Sequence, residues 1–98
     1  MTAIRVIFKG RVQGVGFRYA VKDLARSFDV CGQVENLPDG TVELQVMGEP
    51  DEVAAFIREI THESNVAHHI QSFMSESIPL LKDASGFKIT HCIDRMRD

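Results

Sequence analysis

Three glycines and Arg18 stand close together near the start of the chain, in Gly10-Arg11-Val12-Gln13-Gly14-Val15-Gly16-Phe17-Arg18. Residues of these types at this spacing can hold an anion. Glycine lets the backbone turn successive N–H groups inward into a concave nest, and a helix starting just after it adds unpaired N–H groups at the positive end of its dipole. Arg18 then brings a planar, fixed positive charge able to clamp a phosphoryl group. The stretch is not a Walker loop, because no Gly-Lys-Ser/Thr ends it, and the spacing of Gly10, Gly14 and Gly16 does not match the dinucleotide fingerprint. On composition alone two readings stand side by side: a phosphate-sized nest over Gln13 to Arg18, and a strand-to-helix turn that needs glycine only for its geometry.

Other candidate groups carry less. His62, His68, His69 and His91 offer no three convergent ligands, since His68 and His69, read as neighbours on a strand, face opposite sides. Solvated or hydrogen-bonded histidines are expected, and no metal. Asp51 with Glu52 and Glu59 with Glu63 are accounted for by helix-start charge and a solvated face. Phe8 and Tyr19 flank the glycine loop, but the net charge of -3 and the lack of a basic surface argue against base stacking and against nucleic acid as a partner. An anion site in such a chain must be local. Cys31 and Cys92 form no CxxC pair and are expected as reduced thiols, with a disulfide between them left open.

The elements that must position the loop follow from periodicity. Ile4, Val6 and Phe8 alternate with Arg5, Ile7 and Lys9, which predicts a strand over 4–10. Phe17, Val21, Leu24 and Phe28 recur at helical spacing and predict a helix over 18–28. Residues 31–36 and 41–47 read as strands joined by Leu37-Pro38-Asp39-Gly40, a strong turn signal, and so form a hairpin. Pro50, Asp51 and Glu52 open a second helix over 50–62, with Val53, Phe56, Ile57 and Ile60 as its buried stripe. A bulged strand over 66–74, a loop over 77–85, a short last strand at Phe87, Ile89 and Cys92, and a charged tail over 94–98 complete the chain.

The order β-α-β-β-α-β-β predicts one α+β domain over 1–98, a ferredoxin-like sandwich with an antiparallel sheet and two helices on one face. At 98 residues a single core and a single domain are expected. No stretch approaches membrane-spanning length and the start lacks the apolar core of a signal peptide, so a cytoplasmic protein is expected. A monomer without membrane partners completes that expectation.

Gly10 to Arg18 resembles the first signature of the acylphosphatases, and Gly32-Gln33-Val34-Glu35-Asn36-Leu37-Pro38-Asp39-Gly40-Thr41-Val42 resembles their second. Length, element order and the Ser-Gly-Phe-Lys-Ile run at 85–89 are similar too. The resemblance implies metal-independent hydrolysis of acyl phosphates to carboxylate and inorganic phosphate by in-line attack of water, with no cofactor. It implies that Arg18 is the phosphate-binding and catalytic arginine and that Asn36 orients the attacking water. Gln13, Gly14, Val15, Gly16 and Phe17 would wrap the phosphoryl oxygens, chiefly through backbone N–H groups. Such a kit is chemically sufficient, because a carboxylate leaves without a strong general acid and the protein has mainly to position and stabilise charge. Many members of the family carry an aromatic residue in place of Gln33 and a basic or neutral polar one in place of Glu35; by strand alternation both point away from Val34 and Asn36. Two other functions compete with hydrolysis: a module that holds a phosphoryl or carbamoyl phosphate ligand without turning it over, and an RNA-binding module of similar topology.

Overall fold

The computed structural model describes residues 1–82 and 86–90. The expectations for Ser85, Cys92 and the 94–98 tail, and the candidate His91, lie outside them. The order is β1 (Thr2–Gly10), α1 (Phe17–Ala25), β2 (Val30–Asn36), β3 (Val42–Gly48), α2 (Pro50–Arg58), β4 (Ile70–Ile78) and β5 (Phe87–Thr90). The strands form one sheet in the order β4-β1-β3-β2-β5.

Alternation in β1 and β3 builds the core. Val6 and Phe8 of β1, Val34 of β2 and Val42, Leu44 and Val46 of β3 form one buried cluster with Phe17 and Val21 of α1 and Val53, Phe56 and Ile60 of the α2 region. Both helices therefore cover the same face of the sheet. Phe8 meets Phe17 with ring centroids 5.2 Å apart, which packs the start of α1 against the end of β1 and so closes the glycine loop between them.

Several expectations are corrected. The sheet is mixed: β1–β3, β1–β4 and β2–β3 are antiparallel, but β5 runs parallel to β2. The reason is where β4 stops. Its last residue, Ile78, pairs with Ala3 at the end of the sheet where β2 begins, so a chain crossing that end enters the far edge in the direction of β2. Residues 66–69 are not strand: Ala67–His69 is a single 3₁₀ turn, and β4 runs from Ile70 to Ile78 through Ser77, where a loop was expected. The register shift opposite it falls between Lys9 and Gly10 of β1. Helix α1 starts at Phe17 and ends at Ala25, after which Ser27 and Phe28 donate to Leu24 and Ala25 in tighter turns. Helix α2 ends at Arg58 and widens into a π turn over Glu59–Glu63, closed by Ser64 N–H to the Glu59 carbonyl at 2.8 Å.

The other face of the sheet carries charge. Arg5 donates to Glu43 on β3 at 2.6 Å and to Glu76 on β4 at 3.1 Å. Glu35 stands opposite Glu43 in the β2–β3 register, and both carboxylates are buried. Alternation foresaw the face on which Glu35 lies; its burial was not readable from β2 alone.

Candidate active site

The C-terminal ends of β1 and β2 and the start of β3 lie at one end of the sheet, where Phe8 pairs with Val42 and Val42 with Asn36. Leaving β1, the chain passes through residues 11–16 and enters α1 at Phe17. Val12 is buried and anchors this loop to the core, while Gly14 and Gly16 both take φ of 77°. That left-handed conformation, unfavourable for residues with a Cβ, is what folds the loop into a concave turn.

Gly16 is the N-cap of α1, and the first bond of the helix ladder runs from Ala20 N–H to the Gly16 carbonyl at 3.0 Å. The N–H groups of Phe17, Arg18 and Tyr19 therefore lie outside that ladder. No acidic residue occupies the first turn, so nothing there competes with a bound anion for the positive end of the dipole. Arg18, the second residue of the helix, is half-buried, and among the described residues no carboxylate forms an ion pair with it.

Asn36 ends β2 and is half-buried. Its neighbour Leu37 opens the turn to β3, in which Leu37 N–H donates to the Thr41 carbonyl at 2.9 Å and Gly40 N–H to the Leu37 carbonyl at 3.1 Å. Asp39 locks the same turn by accepting from the Thr41 hydroxyl at 2.6 Å and the Thr41 N–H at 3.0 Å. The Thr41 hydroxyl, helped by that N–H, holds the Asp39 carboxyl below its ordinary value.

One side chain ties the two halves together. The Gln13 amide nitrogen donates to the Leu37 carbonyl at 2.8 Å and to the Thr41 carbonyl at 2.9 Å. The glycine loop is thus bonded to the residue next to Asn36. Sequence reasoning credited Gln13 with a backbone role and missed this one; the available signal was a long amide side chain in a loop otherwise made of glycine and valine.

The histidines depart from expectation. His68 and His69 were expected on opposite faces of a strand, but in the 3₁₀ turn successive side chains are about 120° apart, and the two rings lie in contact, tilted by 40° with centroids 4.0 Å apart. Among the described residues no three His, Cys, Asp or Glu gather as metal ligands. Cys31 is a free thiol. No helix among the described residues is long and apolar enough to cross a membrane.

Fold and site define a class: an α+β sandwich whose sheet end carries a glycine loop with left-handed turns, one arginine at a helix start and one asparagine at a strand end. Comparison with known proteins narrows it. The acylphosphatase family model matches residues 4–89. An acylphosphatase of Methanospirillum hungatei is 38% identical over 91% of this chain and 93% of its own length. The crystal structure of acylphosphatase from Bacillus subtilis superimposes with a TM-score of 0.80 at 30% identity, over 92% of this chain and 99% of that one. HypF from T. kodakarensis is similar too, with a TM-score of 0.79 at 29% identity, over 92% of this chain but 12% of the HypF chain. The chain belongs to the acylphosphatase family, and it is an enzyme of the hydrolase class.

Proposed function

We propose that this chain hydrolyses the carboxyl–phosphate bond of acyl phosphates by in-line attack of water, with Arg18 and Asn36 as its catalytic residues. The observation that carries the reading is the Gln13 bridge, which holds the cradle and the asparagine-bearing strand end in one fixed arrangement. The phosphoryl group sits against the backbone of Gln13, Gly14, Val15, Gly16 and Phe17, with Arg18 on its equatorial oxygens. Those donors neutralise the charge that spreads over the oxygens in the transition state. The Asn36 side-chain amide orients a water in line with the bond to the acyl group. As the water oxygen bonds to phosphorus, the P–O bond to the acyl group breaks, the carboxylate departs with the bonding pair, and the water proton passes to a phosphate oxygen. Neither a metal ion nor a general acid takes part.

The same reading has an acyl phosphate as substrate, inorganic phosphate as product and a monomer as the working unit, one domain carrying the whole site. A cytoplasmic place belongs to the same reading.

The test is hydrolysis of acetyl phosphate by the purified protein in the presence of a chelator. Asn36→Ala should abolish turnover while leaving phosphate binding within about threefold, and Arg18→Ala should lose both. Binding without turnover in the unsubstituted protein would leave a binding module only. Near-normal rates in Arg18→Ala would overturn the roles assigned here.

A further inference from the structure

A second cationic cluster borders the cradle. Arg11, His68 and His69 line an open groove with Gly10 and Gln71, and no carboxylate lines it among the described residues. In a chain of net charge -3 a grouping of one sign needs an explanation. The groove is fastened to the chain just ahead of the cradle: Arg11 N–H donates to the His69 carbonyl at 3.0 Å. Gly10 packs so closely on the start of β4 that a Cβ there would overlap the His69 carbonyl oxygen and approach the Gln71 nitrogen to 2.7 Å. Arg11 and His68 themselves are exposed, so their side chains face solvent above that tight contact.

Its position relative to Asn36 is decisive. Across the site end of the sheet, Ile70 of β4 lies beside Gly10, Phe8 of β1 beside Val42 of β3, and Val42 beside Asn36 of β2. Asn36 and the histidine turn thus flank the cradle from opposite sides. In-line displacement puts the leaving group opposite the attacking water. With the water on the Asn36 side, the acyl group departs toward Arg11, His68 and His69.

We infer that Arg11, His68 and His69 form a subsite for a carboxylate on the acyl part of the substrate, which makes acyl phosphates of dicarboxylic acids preferred over uncharged ones. The inference rests on the reading given under Proposed function. Charge complementarity selects the class. Near neutral pH the groove holds one permanent cation and two imidazoles, which suits a singly charged carboxylate, whereas the doubly charged phosphoryl group has the backbone nest and Arg18. The groups that face the groove are Arg11 from the loop, His68 and His69 from the turn and neutral Gln71 from β4. Desolvation first, then the charges of His68 and Arg11, hold His69 below the ordinary histidine value. A bound carboxylate opposes those charges and favours the protonated form of His69, so the preference grows as pH falls through the histidine range.

The experiment compares kcat/KM for succinyl phosphate and butyryl phosphate, which differ by a carboxylate in place of a methyl group, at about pH 6 and about pH 8. Expected is a ratio above one that is larger at the lower pH. Arg11→Gln and His68→Gln should each lower it by about fivefold, the scale of an exposed charge pair, with butyryl phosphate turnover unchanged. A ratio that neither substitution moves, or an equal loss on both substrates, would overturn the subsite. If the unsubstituted protein leaves both succinyl phosphate and butyryl phosphate intact, the hydrolytic reading itself fails and the subsite falls with it; that outcome is distinct, because it appears before any substitution is made.

Discussion

Removing the Gln13 amide tests whether the site works as one unit. In Gln13→Ala the bonds to the Leu37 and Thr41 carbonyls, 2.8 and 2.9 Å long, are lost. Neither carbonyl is orphaned, because Gly40 N–H still donates to Leu37 and Leu37 N–H to Thr41. The cost is therefore the net worth of two bonds, about 1 kcal/mol each, and not the larger penalty of two unpaired buried acceptors. For a domain of this size that lowers Tm by roughly 10 °C, and the protein stays folded at room temperature. The kinetic effect is larger in kind. The backbone donors of the loop remain, so inhibition by inorganic phosphate should change by no more than about threefold, while loss of alignment between cradle and water should lower kcat by about 100-fold. Thermal melts, phosphate inhibition and kcat on acetyl phosphate measure the three quantities separately. Gln13→Glu keeps the length but sets a carboxylate against two carbonyls, and should be at least as damaging. A Gln13→Ala protein with the melting loss but an unchanged kcat would refute the coupling, and a fully active Gln13→Glu would refute the hydrogen-bond argument itself.

Gly16→Ala meets no steric obstacle, since nothing lies within 4 Å of the added methyl, so its cost is the left-handed backbone alone. That is about 1–2 kcal/mol, and relaxation of the strain should weaken phosphate inhibition about tenfold; an affinity unchanged by the substitution would mean that the loop's shape is not the cradle. Arg5→Ala removes the 2.6 Å partner of buried Glu43. Because Arg5 is 34% exposed, the destabilisation in urea melts should be about 1–2 kcal/mol, below the range for a fully buried pair, with kcat unaltered. Asp39, held below its ordinary value of 3.8, contributes stability that is fully present above that value and is lost as pH falls through its folded value. Asp39→Asn should accordingly flatten the dependence of Tm on pH below about 4, and an acid profile identical to that of the parent would show that the turn does not sense this carboxylate.

Much of the frame was legible because local physics specified it. Ile4, Val6 and Phe8 alternate, and β1 forms. Phe17 and Val21 recur at helical spacing, and α1 follows. The Pro38-Asp39-Gly40 turn sets the β2–β3 hairpin in register. What escaped reading was set by partners distant in sequence. Most of β4 is exposed, so no buried face marks it, and its extent through Ile78 comes from pairing with Ala3 of β1. The direction of β5 depends on where β4 ends, which no residue of β5 encodes.

By itself the sequence determined a glycine loop able to turn back its N–H groups, an arginine placed to enter a helix beside it, and an asparagine just before a tight turn. Each is a property of a few neighbouring residues, and steric and hydrogen-bonding rules act at that range. Only the tertiary structure decided that these parts meet. Gln13 and Leu37 are brought together by strand pairing, not by chain proximity, and it is the side chain of the first that holds the second's carbonyl in place. The same pairing sets the histidine turn across the cradle from Asn36, a relation that exists only because β4 and β2 close on the β1–β3 pair from opposite edges.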